Sequence, residues 1–364
     1  MKKAVIAAVF CILLISLPCN VYASEASVEG IFPKDAGELL LENGFSALDL
    51  ENLVNLSPKQ ALEYVINCFK NEIDTPFILI YVIFLVIIIT SITSGINGGF
   101  LSAELEKNFS AVGVLSVCAT AIVPIITCLD EARQFISQMS GFVQVFVPVL
   151  SGVMITGGQV TSGAGYQVVM IFSSEFMSVF LSGVILPLIF MYLAFAIVGR
   201  TAAGFHPDSI TSSVKSTVNW SLSLIMTLFV SLITIKGLIG TGSDSVALRT
   251  GKFFVGSFVP AVGGALAEAA ATVQKSIGLI KNTTGVFGII AAAIYFIPPL
   301  IKVLIYKFTC NVTAIIGELL GADKIAGLLK DISAVLGLVT SVILSYGVLV
   351  ILSTAVTLLI CGGA

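Results

Sequence analysis

The chain has 364 residues, of which 57% are hydrophobic and 11% charged, with a mean hydropathy of +1.07. Soluble domains carry about 25% charged residues, so this composition excludes an ordinary soluble protein and describes an all-α polytopic membrane protein. The net charge of −3 leaves no broad basic surface, which excludes nucleic acid as a partner.

Residues 1–23 have the layout of a secretory signal peptide: Lys2 and Lys3, an apolar run from Ala4 to Leu17, and a small-residue cleavage site at Val21-Tyr22-Ala23. Pro18 occupies the place where a lipoprotein signal needs a small residue before Cys19. The rival is an uncleaved first helix. Residues 24–75 then form a short acidic extracytoplasmic segment with ten Asp/Glu against three Lys. Ser57-Pro58-Lys59-Gln60 predicts a helix start, with Ser57 as N-cap, Pro58 at the first helical position and Gln60 closing a capping box. Leu62, Val65, Ile66, Phe69 and Ile73 follow at helical spacing and give an amphipathic helix. Its apolar face is expected to pack within the protein.

From residue 76 to 364 the chain reads as one multi-span membrane domain. Uncharged runs predict about six spans, at 76–96, 108–129, 176–199, 216–235, 282–301 and 332–364, each long enough for the hydrocarbon core. Two further apolar stretches stand apart. FVPVLSG at 146–152 matches FVPAVGG at 258–264 in four of seven positions. Around the second, only fifteen uncharged residues separate Lys252 from Glu268, fewer than the ~20 a single crossing helix needs. Proline and paired glycines are poor in a helix interior. The pair therefore reads as broken or re-entrant elements in a two-fold internal repeat, with units at about 76–175 and 179–282 followed by two final spans. Interrupted segments in corresponding positions point to a functional site in membrane transporters. The candidate channel or packing residues are Phe146, Val147, Pro148 and Gly152 in the first element, and Phe258, Val259, Pro260, Gly263 and Gly264 in the second.

Lys and Arg are too evenly divided to orient the chain. With re-entrant elements seven fall inside (Lys107, Arg200, Lys215, Lys302, Lys307, Lys324 and Lys330) and nine outside, whereas the positive-inside rule works through asymmetry. Two acidic residues interrupt apolar stretches, Glu175 and Glu268. Each is either a candidate intramembrane charge, costly and so functional, or the mark of a water-facing boundary. Small residues at four-residue spacing, Gly263, Ala267 and Ala271 beside Ala261, Ala265 and Ala269, suit close helix approach and a possible homo-oligomer.

Signatures of catalysis are missing. The single histidine, His206, has no companion for a metal set, and there is no P-loop, GxSxG or HExxH. No cofactor is expected. Cys68, Cys118, Cys128, Cys310 and Cys361 suggest packing residues, not a disulfide framework.

RTGKFFVGSFVPAVGG from residue 249 and KNTTGVFGIIAAAIYFIPPLIKVLIYKFTCNVTAIIGE from residue 281 resemble the stage III sporulation protein AE family of endospore-forming Firmicutes. The resemblance implies a non-enzymatic membrane subunit of a secretion-like channel, or feeding tube, between mother cell and forespore. It implies synthesis in the mother cell and multi-pass residence in the outer forespore membrane. The partners implied are other stage III A proteins, including an ATPase and ring-forming subunits, and a forespore channel protein, besides the lipid bilayer. A stand-alone secondary transporter and a structural membrane anchor are the alternatives.

Overall fold

The computed structural model describes residues 58–95, 103–201, 208–258 and 263–362. Every element among them is helical: α1 (Pro58–Glu72), α2 (Asp74–Gly95), α3 (Ala103–Thr156), α4 (Val160–Phe180), a π turn (Leu181–Ile185), α5 (Leu186–Thr201), α6 (Asp208–Phe258), α7 (Gly263–Leu319) and α8 (Asp323–Gly362). Among the described residues, five stretches are long and apolar enough to cross a membrane: Ala111–Thr156, Val160–Thr201, Ser209–Ile235, Ile280–Leu319 and Asp323–Leu358. A shorter apolar helix covers Pro76–Ile92. Five of the six expected spans fall wholly or largely within these five stretches, and the first overlaps only the shorter helix.

Two helical hairpins form the body. One folds α3 back onto α4 and α5, and the other folds α7 back onto α8. Both turns use the same local chemistry. The N–H of Gln159 donates to the carbonyl of Met154 at 3.0 Å, and that of Ala322 to Gly317 at 2.8 Å. These six-to-one bonds close a Schellman motif, which needs one left-handed residue. Gly158 (φ +84°) and Gly321 (φ +76°) supply it. The helix α6 packs against α4, α5 and α8; α2 lies on α3 and α7; α1 lies on α7.

Pro148 sits inside α3, which continues to Thr156. The first FVP element is therefore not an interruption, which corrects the expectation of a broken or re-entrant segment there. The chain reverses further on, at Gly157-Gly158, where a glycine can adopt positive φ. The uncharged stretch 134–174 is accordingly the end of one helix and the start of the next. In the second element α6 ends at Phe258 and α7 opens at Gly263, and Val259 and Pro260 lie outside the described residues. Lys302 and Lys307, counted above among loop charges, also lie within a helix, α7. At 54 residues and ~1.5 Å per residue, α3 is about 80 Å long, well over the ~30 Å of a hydrocarbon core.

Helix association inside a bilayer relies on close packing, and here glycines receive bulky side chains from facing helices. A Cβ on Gly288 would lie 1.9 Å from the ring of Phe146; one on Gly347 would lie 2.2 Å from Phe296; one on Gly285 would lie 2.4 Å from Leu358. An aromatic column continues the contact. Phe142 stacks on Phe146 with ring centroids 5.2 Å apart, and Phe135 meets both Phe296 and Tyr346 at 6.2 Å. The first FVP element thus contributes to packing through Phe146 and Val147, both buried. Gly152 does not, because a Cβ there would meet nothing within 4 Å.

Prolines inside helices leave carbonyls without their usual donor four residues on. The Pro298-Pro299 pair in α7 frees the carbonyl of Ile294, and the hydroxyl of Tyr64 in α1 donates to it at 3.4 Å. Pro187 stands two residues after the π turn at Leu181–Ile185, where the widened ladder accommodates the missing N–H. The bond from Tyr64 sets the face by which α1 docks. Tyr64 and Cys68 are half-buried against the bundle, while Val65, Ile66 and Phe69 of the expected packing face are 37%, 43% and 45% exposed. Burial raises the pKa of the Tyr64 hydroxyl and of the Cys68 thiol above their ordinary values, keeping both protonated.

Two outcomes are expected from thermal unfolding in detergent. Gly288→Val should destabilise by about 1–3 kcal/mol through overpacking, with Phe146→Ala in the same chain relieving part of the loss; Gly278→Val, at a site with nothing within 4 Å, should cost less. Equal losses at the two glycines would rule out the Phe146 contact as the cause. Tyr64→Phe should cost about 0.5–1.5 kcal/mol, the net value of one hydrogen bond, and an unchanged melting curve would show the Ile294 carbonyl satisfied without it.

Candidate functional site

Polar and charged groups within the apolar bundle concentrate in two clusters joined by α3. The first is an ion triad. The Lys302 Nζ lies 2.5 Å from Glu131 Oε1 and 3.4 Å from Glu72 Oε2. Glu72 is the last residue of α1, Glu131 stands at the middle of α3, and Lys302 follows the Pro298-Pro299 step in α7. Three elements meet at one charge. The side chains keep 20–32% exposure, so their attraction is only partly screened by water.

The second cluster lies further along α3. Gln144 Nε2 donates to Glu175 Oε2 at 3.2 Å and approaches Ser140 Oγ at 3.5 Å. On the adjacent buried side Ser174 Oγ and Tyr346 Oη are 2.6 Å apart, and the Tyr346 hydroxyl donates to the Ser174 carbonyl at 3.1 Å. These contacts tie α3, α4 and α8 together. Towards the hairpin turn come Ser151 with Gln167 at 3.1 Å, Tyr166 with Thr354 at 3.2 Å, and the buried Lys281 with Gln159 at 3.4 Å. At the other end Arg200 Nε reaches Asp331 Oδ2 at 2.8 Å. The guanidinium crosses Gly327, where a Cβ would come within 2.6 Å of it.

Of the two acidic residues singled out from sequence, Glu175 falls inside α4, where it is no helix boundary. Glu268 lies in α7, in the turns after Gly263 and Gly264. Phe146, Val147, Pro148 and Gly152 share α3 with both clusters, and Phe258 closes α6. Sequence reasoning missed Gln144, Tyr346 and the Glu131–Lys302–Glu72 triad. The signal for Gln144 was its four-residue spacing from Pro148 and Ser140. For the triad there was none, since Lys302 stands 171 positions from Glu131 and farther still from Glu72, without any local pattern.

These features define a polytopic membrane protein, helical throughout its described residues, in which several interior polar groups are paired across helices. The family model for stage III sporulation protein AE matches residues 46–361. The chain belongs to that family, and its role lies in sporulation. A relative, the stage III sporulation protein AE of Bacillus subtilis (strain 168), is 24% identical over 279 residues, covering 77% of this chain and 70% of the relative. No solved structure matches.

Removing the central cation of the triad leaves two carboxylates facing each other. Lys302→Met should therefore destabilise the protein in detergent at neutral pH by about 1–3 kcal/mol, somewhat below the ~3–5 kcal/mol for breaking a fully buried pair. Adding Glu131→Gln, which removes one of the two carboxylates, should narrow the gap to wild type. A double variant no more stable than Lys302→Met would remove charge repulsion as the cause.

Proposed function

We propose that the chain is a non-enzymatic membrane subunit of a secretion-like channel linking mother cell and forespore. In this reading it resides in the outer forespore membrane. It works with other stage III A proteins, among them an ATPase and ring-forming subunits, and with a forespore channel protein. The observation that carries the proposal is family membership over residues 46–361. A second support is physical: polar pairs such as Gln144–Glu175 and Ser174–Tyr346 stand at the level of charge-free runs in neighbouring helices, where unpaired polar groups are costly. The segment from Phe258 through Val259 and Pro260 to Gly263 and Gly264 is proposed as a packing joint of this channel subunit. It is supported by α6 ending at Phe258 and α7 opening at Gly263. Turnover of ATP is assigned to another subunit, because the sequence carries no P-loop.

Deleting the gene in its host should let engulfment proceed and then stop forespore development, and tagged chain from sporulating membranes should bring down an ATPase subunit. Wild-type spore yield from the deletion strain would end the proposal. So would ATP hydrolysis by the purified chain that survives removal of contaminating ATPases.

A further inference from the structure

The exposed side of α3 changes character halfway along. In its first half it presents Val112, Leu115, Val123 and Ile126, as a lipid-facing stripe should. From there onward it presents Asp130, Arg133, Gln134, Ser137, Gln138, Gly141 and Gln144, with Val145 beside them, all exposed. Their spacing of three and four residues, with adjacent pairs, keeps them on one side of the helix.

Two observations set this polar half against apolar stretches of its neighbours, while Glu131 keeps its Asp130 end level with Lys302 and Glu72. The bond from Gln144 to Glu175 fixes its far end against α4, whose exposed residues there are Phe172 at 62% and Val179 at 62%. The contacts of Phe135 with Phe296 and Tyr346 fix the level in α7 and α8, where residues 282–301 and 332–362 carry no charge. A carboxylate alone costs of order 2.5–3.5 kcal/mol at the bilayer centre on insertion scales. Pro148, which has no N–H, also withholds the usual helix donor from the Gln144 carbonyl, leaving an acceptor that lipid cannot satisfy. Glutamines, charges and a freed carbonyl on one side, with aromatic and aliphatic residues beside them at the same height, describe a one-sided wet surface.

We infer that the stripe from Asp130 to Gln144, with Glu175, forms one wall of a water-filled conduit at membrane depth. Selective ion paths use rings of one sign. This wall mixes Asp130 and Glu175 with Arg133 and three glutamines, so it suits small hydrated solutes of either charge. The inference deepens the channel-subunit reading and rests on it for the conduit's use in sporulation.

The test is thiol labelling in membranes of sporulating cells, and in membranes containing the chain alone. Ser137→Cys, Gln138→Cys and Gln144→Cys are compared with Val179→Cys and Leu228→Cys, with label measured as the increment over the wild-type chain. Membrane-impermeant methanethiosulfonates of positive and negative charge are the probes. The stripe should label about tenfold or more faster than the two apolar positions, since only water-accessible thiols ionise and react. Ser137→Cys exchanges one atom, so it reports even where a glutamine variant fails to accumulate. Stripe thiols that stay as inert as Val179→Cys overturn the conduit. Label in the chain alone but not in sporulating membranes also overturns it, marking the stripe as a surface covered by another subunit. Reaction with only one sign of probe overturns passage of both charges. A wet stripe with normal spore yield in the deletion strain would sink the channel reading and leave the wet wall standing; a dry stripe with failed sporulation would sink the conduit alone.

Discussion

Close approach of α3 to the α7–α8 hairpin is the constraint on which the remaining structure depends. Lipid tails are as apolar as leucine, so burial of hydrocarbon gives helices little reason to associate inside a bilayer, and contact must come from shape. Here the shape is a glycine facing an aromatic ring. Phe146 enters the space over Gly288, and Phe296 enters that over Gly347. Each contact fixes the height of one helix against another as well as their separation. The column from Phe146 through Phe142 to Tyr295 then holds the register along several turns.

That register determines which polar groups meet. With Phe135 held between Phe296 and Tyr346, Glu131 one turn away comes level with Lys302, and Gln144 comes level with Glu175. Slipping α3 by one turn, ~5.4 Å, would separate all of these at once. The polar pairs therefore make a wrong register costly, since each would leave an unpaired group in a low-dielectric interior. Proline plays a related part. Pro298 frees a carbonyl that Tyr64 reaches, so a defect in one helix becomes the docking point of another.

The first FVP sequence shows how packing can hold a proline inside a helix. Pro148 is tolerated within α3, where Phe146 and Val147 are already held by buried neighbours. The helix ends only where Gly158 can adopt positive φ. Around the second copy, α6 ends at Phe258. Proline weakens a helix by one hydrogen bond and a steric clash, and surrounding packing decides whether that weakness becomes a break.

Sequence alone determined the class of the protein, because 57% hydrophobic and 11% charged residues can be accommodated only by long apolar helices, and the lengths of the uncharged runs follow from bilayer thickness. It also located the start of α1 at Pro58, through the preference of proline for the first helical turn, and it singled out Glu175. It could not say that Asp130, Glu131 and Arg133 lie within one continuous helix, because charges between two apolar runs have the same local pattern in a loop and in a water-facing turn. It could not join Glu72, Glu131 and Lys302, whose meeting depends on how α1, α3 and α7 stack. Nor could it tell that α1 docks through Tyr64 when Val65, Ile66 and Phe69 form its more apolar face. That choice was made by a carbonyl left without a donor in another helix, and only the tertiary structure brings the two within reach.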